Sequence, residues 1–295
     1  MSIPPGGEPP NDPGRSGQPD GFSYPSYPAP SGAPGLALPG GDEFGPTDPL
    51  VATDFGGWVS RIIAAVGRSW RPLLLVQGGT ALGIALFSVV LGMGGPGSFA
   101  VADAVIAVGL VVNLAAMAIA QGASVYVVIR DAAGRPATAG EVAHGAASRA
   151  PALIGWTMLS WLLTSMGAFL LFLPGLYLGV VLFAALYGVV MVERKGIGRC
   201  FELVHQRFWR TAGQMLLLGV FAVTYTIGMI MVLGLVPGGA ESVVFSFLNQ
   251  LLMVPLMMVL AAAAVVNYAE LRGHEHQGLR TTQLADELEP ARQVG

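Results

Sequence analysis

From about residue 72 onward the chain alternates long apolar runs with short breaks rich in polar residues, glycine or proline. A helix that crosses a bilayer needs about 20 mostly apolar residues. Six stretches meet or approach that length, at approximately 72–93, 104–129, 152–173, 176–192, 213–236 and 243–269. The third and fourth are divided only by Leu173-Pro174-Gly175, so the pattern predicts a hairpin cut at Pro174-Gly175.

A second kind of segment stands before some of these runs. In KGIGRCFELVHQRFWR, Ile197, Phe201, Val204 and Phe208 recur at helical spacing while Lys195, Arg199, Glu202 and Arg207 fall elsewhere. In FGGWVSRIIAAVGRSWR, Phe55, Val59, Ile62, Val66 and Trp70 take one side and Arg61 and Arg68 lie off it. Both read as amphipathic helices lying in the cytoplasmic interface. Each ends in Arg-x-Trp-Arg, which makes Arg68, Trp70, Arg71, Arg207, Trp209 and Arg210 candidate membrane anchors, with indoles at headgroup level and arginines on lipid phosphate. Between the second and third runs, Thr138 and Glu141 form a capping-box pattern, predicting a short helix that ends at Arg149, a seventh candidate anchor.

The predicted fold class is therefore all-α: a polytopic membrane helix bundle of six transmembrane helices, arranged as three hairpins that are each preceded by a cytoplasmic interfacial helix. Self-similarity of this kind suggests an internal repeat. Orientation follows from the basic residues. Those from Arg61 to Arg71, Arg130 to Arg149, Arg194 to Arg210 and Arg272 to Arg292 lie at one end, and the opposite loops GMGGPGSFAVAD, LPG and VPGGAE carry none. This predicts a multi-pass plasma-membrane protein with both termini cytoplasmic.

Composition agrees: 53% of residues are hydrophobic and 11% charged, against roughly 25% charged in a soluble domain. The net charge of −3 conceals an asymmetry, since residues 1–54 hold seven acids and one base. Proline, glycine and serine dominate residues 1–52, which are expected to be a disordered cytoplasmic tail, with 53–271 the membrane domain and 272–295 a polar cytoplasmic tail. No charged start followed by an early apolar core marks a cleaved signal peptide. SYPSYPAP suits a polyproline ligand, but a solvated tail explains it more simply.

Candidate chemistry is sparse. Ionisable groups inside a membrane are costly and so mark function, yet Glu193 and Glu270 fall at cytoplasmic span ends and Asp103 and Glu241 at outer ends. Asn113, Gln121, Ser124, Thr157, Ser160, Thr164, Asn249, Gln250 and Asn267 recur on helix faces, where interhelical hydrogen bonding accounts for them better than a substrate path. Gly79/Gly83, Gly175/Gly179 and Ala184/Gly188 are spaced for close helix approach, and Pro255 for a kink. His274 and His276 lack a third metal ligand nearby, and the single cysteine, Cys200, reads as packed rather than lipidated. Neither a Walker loop nor a Ser/His/Asp grouping is present, so no catalytic residue, cofactor or metal site is assigned.

The stretch PGLYLGVVLFAALYGVVMVERKGIGRCFELVHQRFWR, with its Pro-Gly turn, a span ending in Glu193, Gly196 and an amphipathic helix, resembles the membrane domain of glycerophosphoryl diester phosphodiesterases, and the proline-rich tail resembles uncharacterised actinobacterial members. The resemblance covers about residues 50–270 and implies a stand-alone six-helix membrane protein. In the enzymes of that family a separate soluble barrel supplies catalysis; no segment here corresponds to it, so no catalytic residue carries over. The expected role is non-enzymatic: organising a membrane complex or local lipid, with the bilayer and anionic headgroups as partners and no nucleic acid. A permease for an apolar or lipid-like substrate is the alternative, and a headgroup enzyme using Glu193, Glu202, His205 or His144 ranks below both.

Overall fold

Among the described residues, six long apolar helices are each long enough to cross a membrane. The computed structural model describes residues 48–52, 54–92, 99–235, 243–276 and 279–289, all within one unit spanning Gly45–Gly295. The proline-rich segment through residue 47 and residues 93–98 and 236–242 lie outside the described residues. Among the described residues there are eight α-helices and one π-helical turn, and no strand: α1 (Phe55–Gly92), α2 (Phe99–Ala132), α3 (Ala139–Leu170), α4 (Phe172–Gly188), the π turn (Val189–Glu193), α5 (Ile197–His205), α6 (Phe208–Leu233), α7 (Val243–Glu275) and α8 (Thr281–Leu288).

The protein is thus an all-helical, multi-pass membrane protein. Helices α4 and α7 form its enclosed centre: 72% of the most apolar window of α4 is buried in the protein, against 11% for α2 and α6. Helix α4 is apolar all round, which suits a helix enclosed by others. Peripheral helices keep large side chains such as Leu75, Ile106 and Phe169 exposed, as a lipid-facing surface requires. Sequence neighbours α1 and α2, and α3 and α4, pack together, but the most extensive partner of α7 is α1 rather than α6.

The helix boundaries correct several expectations. The interfacial helix expected before span one is the start of α1 itself, bent at Ser69 (φ −102°, ψ 16°) three residues before Pro72, where the proline ring crowds the preceding turn. Its buried stripe is Trp58, Ile62, Ala65 and Ser69, one position round from the expected face; only Ile62 belongs to both. The helix expected to end at Arg149 continues through Pro151 into span three, behind the complete Thr138/Glu141 capping box. The α3–α4 break is one extended residue, Leu171 (φ −155°, ψ 123°), not Pro174-Gly175. Pro174 stands in the first turn of α4, where its missing N–H has no intrahelical partner to lose. Gly175 lets that turn lie on α3: a Cβ there would stand 2.3 Å from Ala168 N.

Of the three expected small-residue pairs, one member of each of two marks a close approach. A Cβ on Gly188 would lie 2.3 Å from Tyr268 Cγ, whereas Gly79 and Gly83 face open space. Helix α7 runs on through Pro255. The Tyr225 hydroxyl donates to Leu252 O at 2.5 Å, close to the carbonyl that proline leaves unpaired.

The segment expected to be a polar tail after residue 271 also folds. Helix α8 buries Leu284, Ala285 and Leu288 against the bundle. Residues 48–52 pack beside it, with Leu50 and Ala52 buried. Asp48 accepts from Thr281 N (2.7 Å), Thr281 Oγ1 (2.5 Å), Leu50 N and Val51 N, and Arg61 Nη1 donates to Asp48 O at 2.7 Å. The two segments form a clasp between distant parts of the chain.

Candidate functional site

The basic end of the bundle carries a charged cluster centred on Glu193. The π turn adds a residue to the last turn of α4 and ends at Glu193, and Arg194 then takes the left-handed conformation (φ 56°). Such insertions recur where a helix must re-aim a side chain. Here the turn brings Glu193 into the interior with its side chain only 5% exposed. Gly196 completes the reversal, because a Cβ there would stand 2.2 Å from Trp156 Cζ2.

Glu193 gathers three elements. Its Oε2 accepts from Arg199 Nε of α5 at 2.6 Å, and its Oε1 accepts from the Tyr268 hydroxyl of α7 at 3.1 Å. Arg272 Nε lies 3.6 Å from Oε1, and Lys195 Nζ 3.8 Å from Oε2. Arg199 also binds Glu275 and, at 3.1 Å, Glu202. Arg272 reaches on to Glu287 of α8 through both carboxylate oxygens, at 2.8 and 3.0 Å. The hydrogen bond to Glu275 raises the Arg199 pKa; burial opposes it, and Glu193 and Glu202 add to the rise.

A second buried carboxylate sits nearby. Glu270 accepts from Gln214 Nε2 at 2.9 Å and pairs with Arg210 Nε at 2.5 Å, tying α6 to α7. Each of these carboxylates is shared with an arginine, an arrangement that joins helices. Cys200 is fully buried beside the cluster, and burial, with the charge of Glu193 adding, pushes its thiol up to about 12. The thiol is protonated and sheltered, the opposite of a reactive or acylated cysteine.

The sequence-derived anchors divide into two groups. Trp209 is 85% exposed at the start of α6 and Trp70 is 48% exposed, with the Arg71 guanidinium 5.3 Å from its ring centroid. Arg68 is exposed and Arg207 half-buried. Arg149 and Arg210, in contrast, turn to protein groups: Arg149 Nη2 donates to Leu288 O at 3.1 Å, and Arg210 pairs with Glu270. Around the break between α5 and α6 lies a crevice of about 550 Å³, lined by Tyr177, His205, Gln206, Arg207, Phe208, Trp209 and Arg210. Tyr177 and Phe208 stand 5.2 Å apart by ring centroid, and Phe208 and Trp209 5.5 Å. Of the other residues considered for chemistry, His144 and His274 are exposed, and His276 Nδ1 lies 3.4 Å from Glu275.

Helix α5 ends at His205, so Phe208, Trp209 and Arg210, expected to close an interfacial helix, open α6 instead, and the apolar side of α5, Ile197, Cys200, Leu203 and Val204, is buried in the protein. Asn267 and Ser124 make the interhelical hydrogen bonds expected of them, but sequence reasoning missed their partners: Trp58 Nε1 donates to Asn267 Oδ1 at 2.6 Å and Gln77 Nε2 to Ser124 Oγ at 2.9 Å. The signal for Trp58 was its spacing with Ile62, Ala65 and Ser69. Comparison of the chain with protein-family models, curated proteins and solved structures found no match.

Proposed function

We propose that this is a non-enzymatic plasma-membrane protein, with both termini cytoplasmic, that organises local lipid by holding anionic headgroups at its basic end. The observation that carries this reading is the crevice at the α5–α6 break. Its aromatic wall of Tyr177, Phe208 and Trp209 suits the upper part of an acyl chain, and Arg207 beside it suits a phosphate. Trp209, largely uncovered by protein, has an apolar body and a polar N–H, the combination that settles at a membrane interface. Gly175, Glu193 and Gly196, the residues of the sequence resemblance, take part here in packing and ion pairing.

The test is purification from the native membrane with identification of retained lipids by mass spectrometry. Anionic phospholipid retained by the wild type and lost in the Arg207→Gln/Trp209→Ala variant is the expected result. Equal retention by both overturns the assignment of the crevice. A lipid-hydrolysing activity abolished by Glu193→Gln refutes the non-enzymatic reading.

A further inference from the structure

Helix α8 is acidic, and arginines of the bundle hold it in place. Arg135 Nη1 meets Asp286 Oδ1 at 2.6 Å, Arg272 Nη2 meets Glu287 Oε2 at 2.8 Å, and Arg130 Nη1 meets Glu289 Oε1, just beyond the helix, at 3.4 Å. Arg149 Nη2 donates to the carbonyl of Leu288, the last residue of the helix. Side chains from α2, the α2–α3 connection, α3 and α7 thus converge on one short segment. The other terminal nitrogen of Arg149 is buried with no hydrogen-bond partner. The collar therefore contains a cation for which α8 supplies a carbonyl but no carboxylate.

Eight residues are too few to stay helical alone in water. Helix α8 persists because Leu284, Ala285 and Leu288 are buried and Asp48 binds its first residue. Its acids remain partly exposed, and exposed ion pairs are weak and screened by salt. Arg130 and Arg272 stand in the last turns of α2 and α7, Arg135 follows α2, and Arg149 reaches the same end from within α3; a membrane with anionic lipid concentrates phosphate at such an end and attracts basic side chains. Phosphate also presents more acceptor oxygens to a guanidinium fork than one carboxylate does.

We propose that Arg130, Arg135, Arg149 and Arg272 form a phosphate-binding collar, that α8 is its internal anionic cap, and that anionic phospholipid headgroups displace the cap. The proposal rests on the reading that this end faces an anionic leaflet, but it uses none of the crevice residues. Displacement of α8 would also uncover Glu287's partner Arg272 and, behind it, Glu193, linking lipid composition to the cluster that ties α4, α5 and α7 together.

The experiment is hydrogen exchange of residues 279–289 in the full-length protein, in nanodiscs of phosphatidylcholine alone or with phosphatidylglycerol. Exchange in α8 should rise on the order of tenfold with phosphatidylglycerol, with α4 and α7 unchanged. The Asp286→Asn/Glu287→Gln/Glu289→Gln variant should exchange fast in phosphatidylcholine already and retain more phosphatidylglycerol than the wild type. Arg130→Gln/Arg135→Gln, made in that variant, should remove the gain. Equal exchange in the two lipids overturns the proposal. Acceleration by inorganic phosphate at matched ionic strength, without lipid dependence, overturns the lipid assignment in favour of a soluble anion. Arg207→Gln/Trp209→Ala in the same assay separates the two readings: if that variant keeps all its anionic lipid while α8 still responds, the crevice reading falls and the collar stands.

Discussion

Replacing Glu193 by glutamine keeps its shape and removes its charge. The side chain is 5% exposed, and Arg199, at 2.6 Å, is 10% exposed. Breaking a buried ion pair from one side costs about 3–5 kcal/mol when the remaining charge is stranded. Neither arginine is stranded here, since Arg199 keeps Glu275 and Glu202 and Arg272 keeps Glu287. The loss should therefore be nearer 2 kcal/mol, which for a chain of this size corresponds to a Tm about 4–8 °C lower. Thermal unfolding followed by intrinsic fluorescence in one detergent measures it. Arg199→Gln should cost a similar amount, and the double variant should fall short of the sum by at least about 1 kcal/mol. Additivity to within about 0.5 kcal/mol, or an unchanged Tm in Glu193→Gln, would show that the cluster does not couple α4 to α5 and would refute the reasoning.

Other outcomes follow from single contacts. Gly188→Ala places a methyl 2.3 Å from Tyr268 Cγ between the two enclosed helices, and should destabilise by about 1–3 kcal/mol, while Gly79→Ala, facing open space, should not; paired unfolding curves check this. Trp58→Phe removes the donor 2.6 Å from Asn267 Oδ1 and should cost about 1–3 kcal/mol, measured in the same way. Burial of Asp48 works against its ionisation, but the hydrogen bonds from Thr281, Leu50 and Val51 outweigh it and hold the carboxyl below its usual range. Its contribution is thus complete above about pH 4 and lost as pH falls through the lower folded value. Hydrogen exchange of 279–289 should quicken on that acid side, and Asp48→Asn should show the quickened exchange at neutral pH. Cys200, buried and with its thiol pushed up to about 12, should resist a thiol reagent at pH 8 until the protein is unfolded.

The spans were legible because a run of some 20 apolar residues has few alternatives. The faces were less so. A helix that is apolar all round carries no mark of which side meets protein, so Gly79/Gly83 and Ala184/Gly188 look alike although Gly79 and Gly83 face open space while Ala184 is fully buried and Gly188 lies against Tyr268. Before span one, the stripe Phe55–Val59–Ile62–Val66–Trp70 and the true stripe Trp58–Ile62–Ala65–Ser69 are adjacent readings of one periodicity. What separates them is Asn267, 209 residues away. Helix α8 was hidden for a related reason. Its acids look like a solvated tail until Arg130, Arg135 and Arg272 are brought to them, and only tertiary structure does that. The Glu193 cluster was half visible: the residue and its place at a span end stood out, but the π turn that carries it inward has no sequence signature that we recognise.

Every functional reading above depends on the basic end facing the cytoplasm. In a Cys200→Ala background, an impermeant maleimide applied to intact cells should label Ser98→Cys, in a stretch of sequence without basic residues, and should label Arg135→Cys only after permeabilisation. Labelling of Arg135→Cys from outside, with Ser98→Cys protected, would contradict the account.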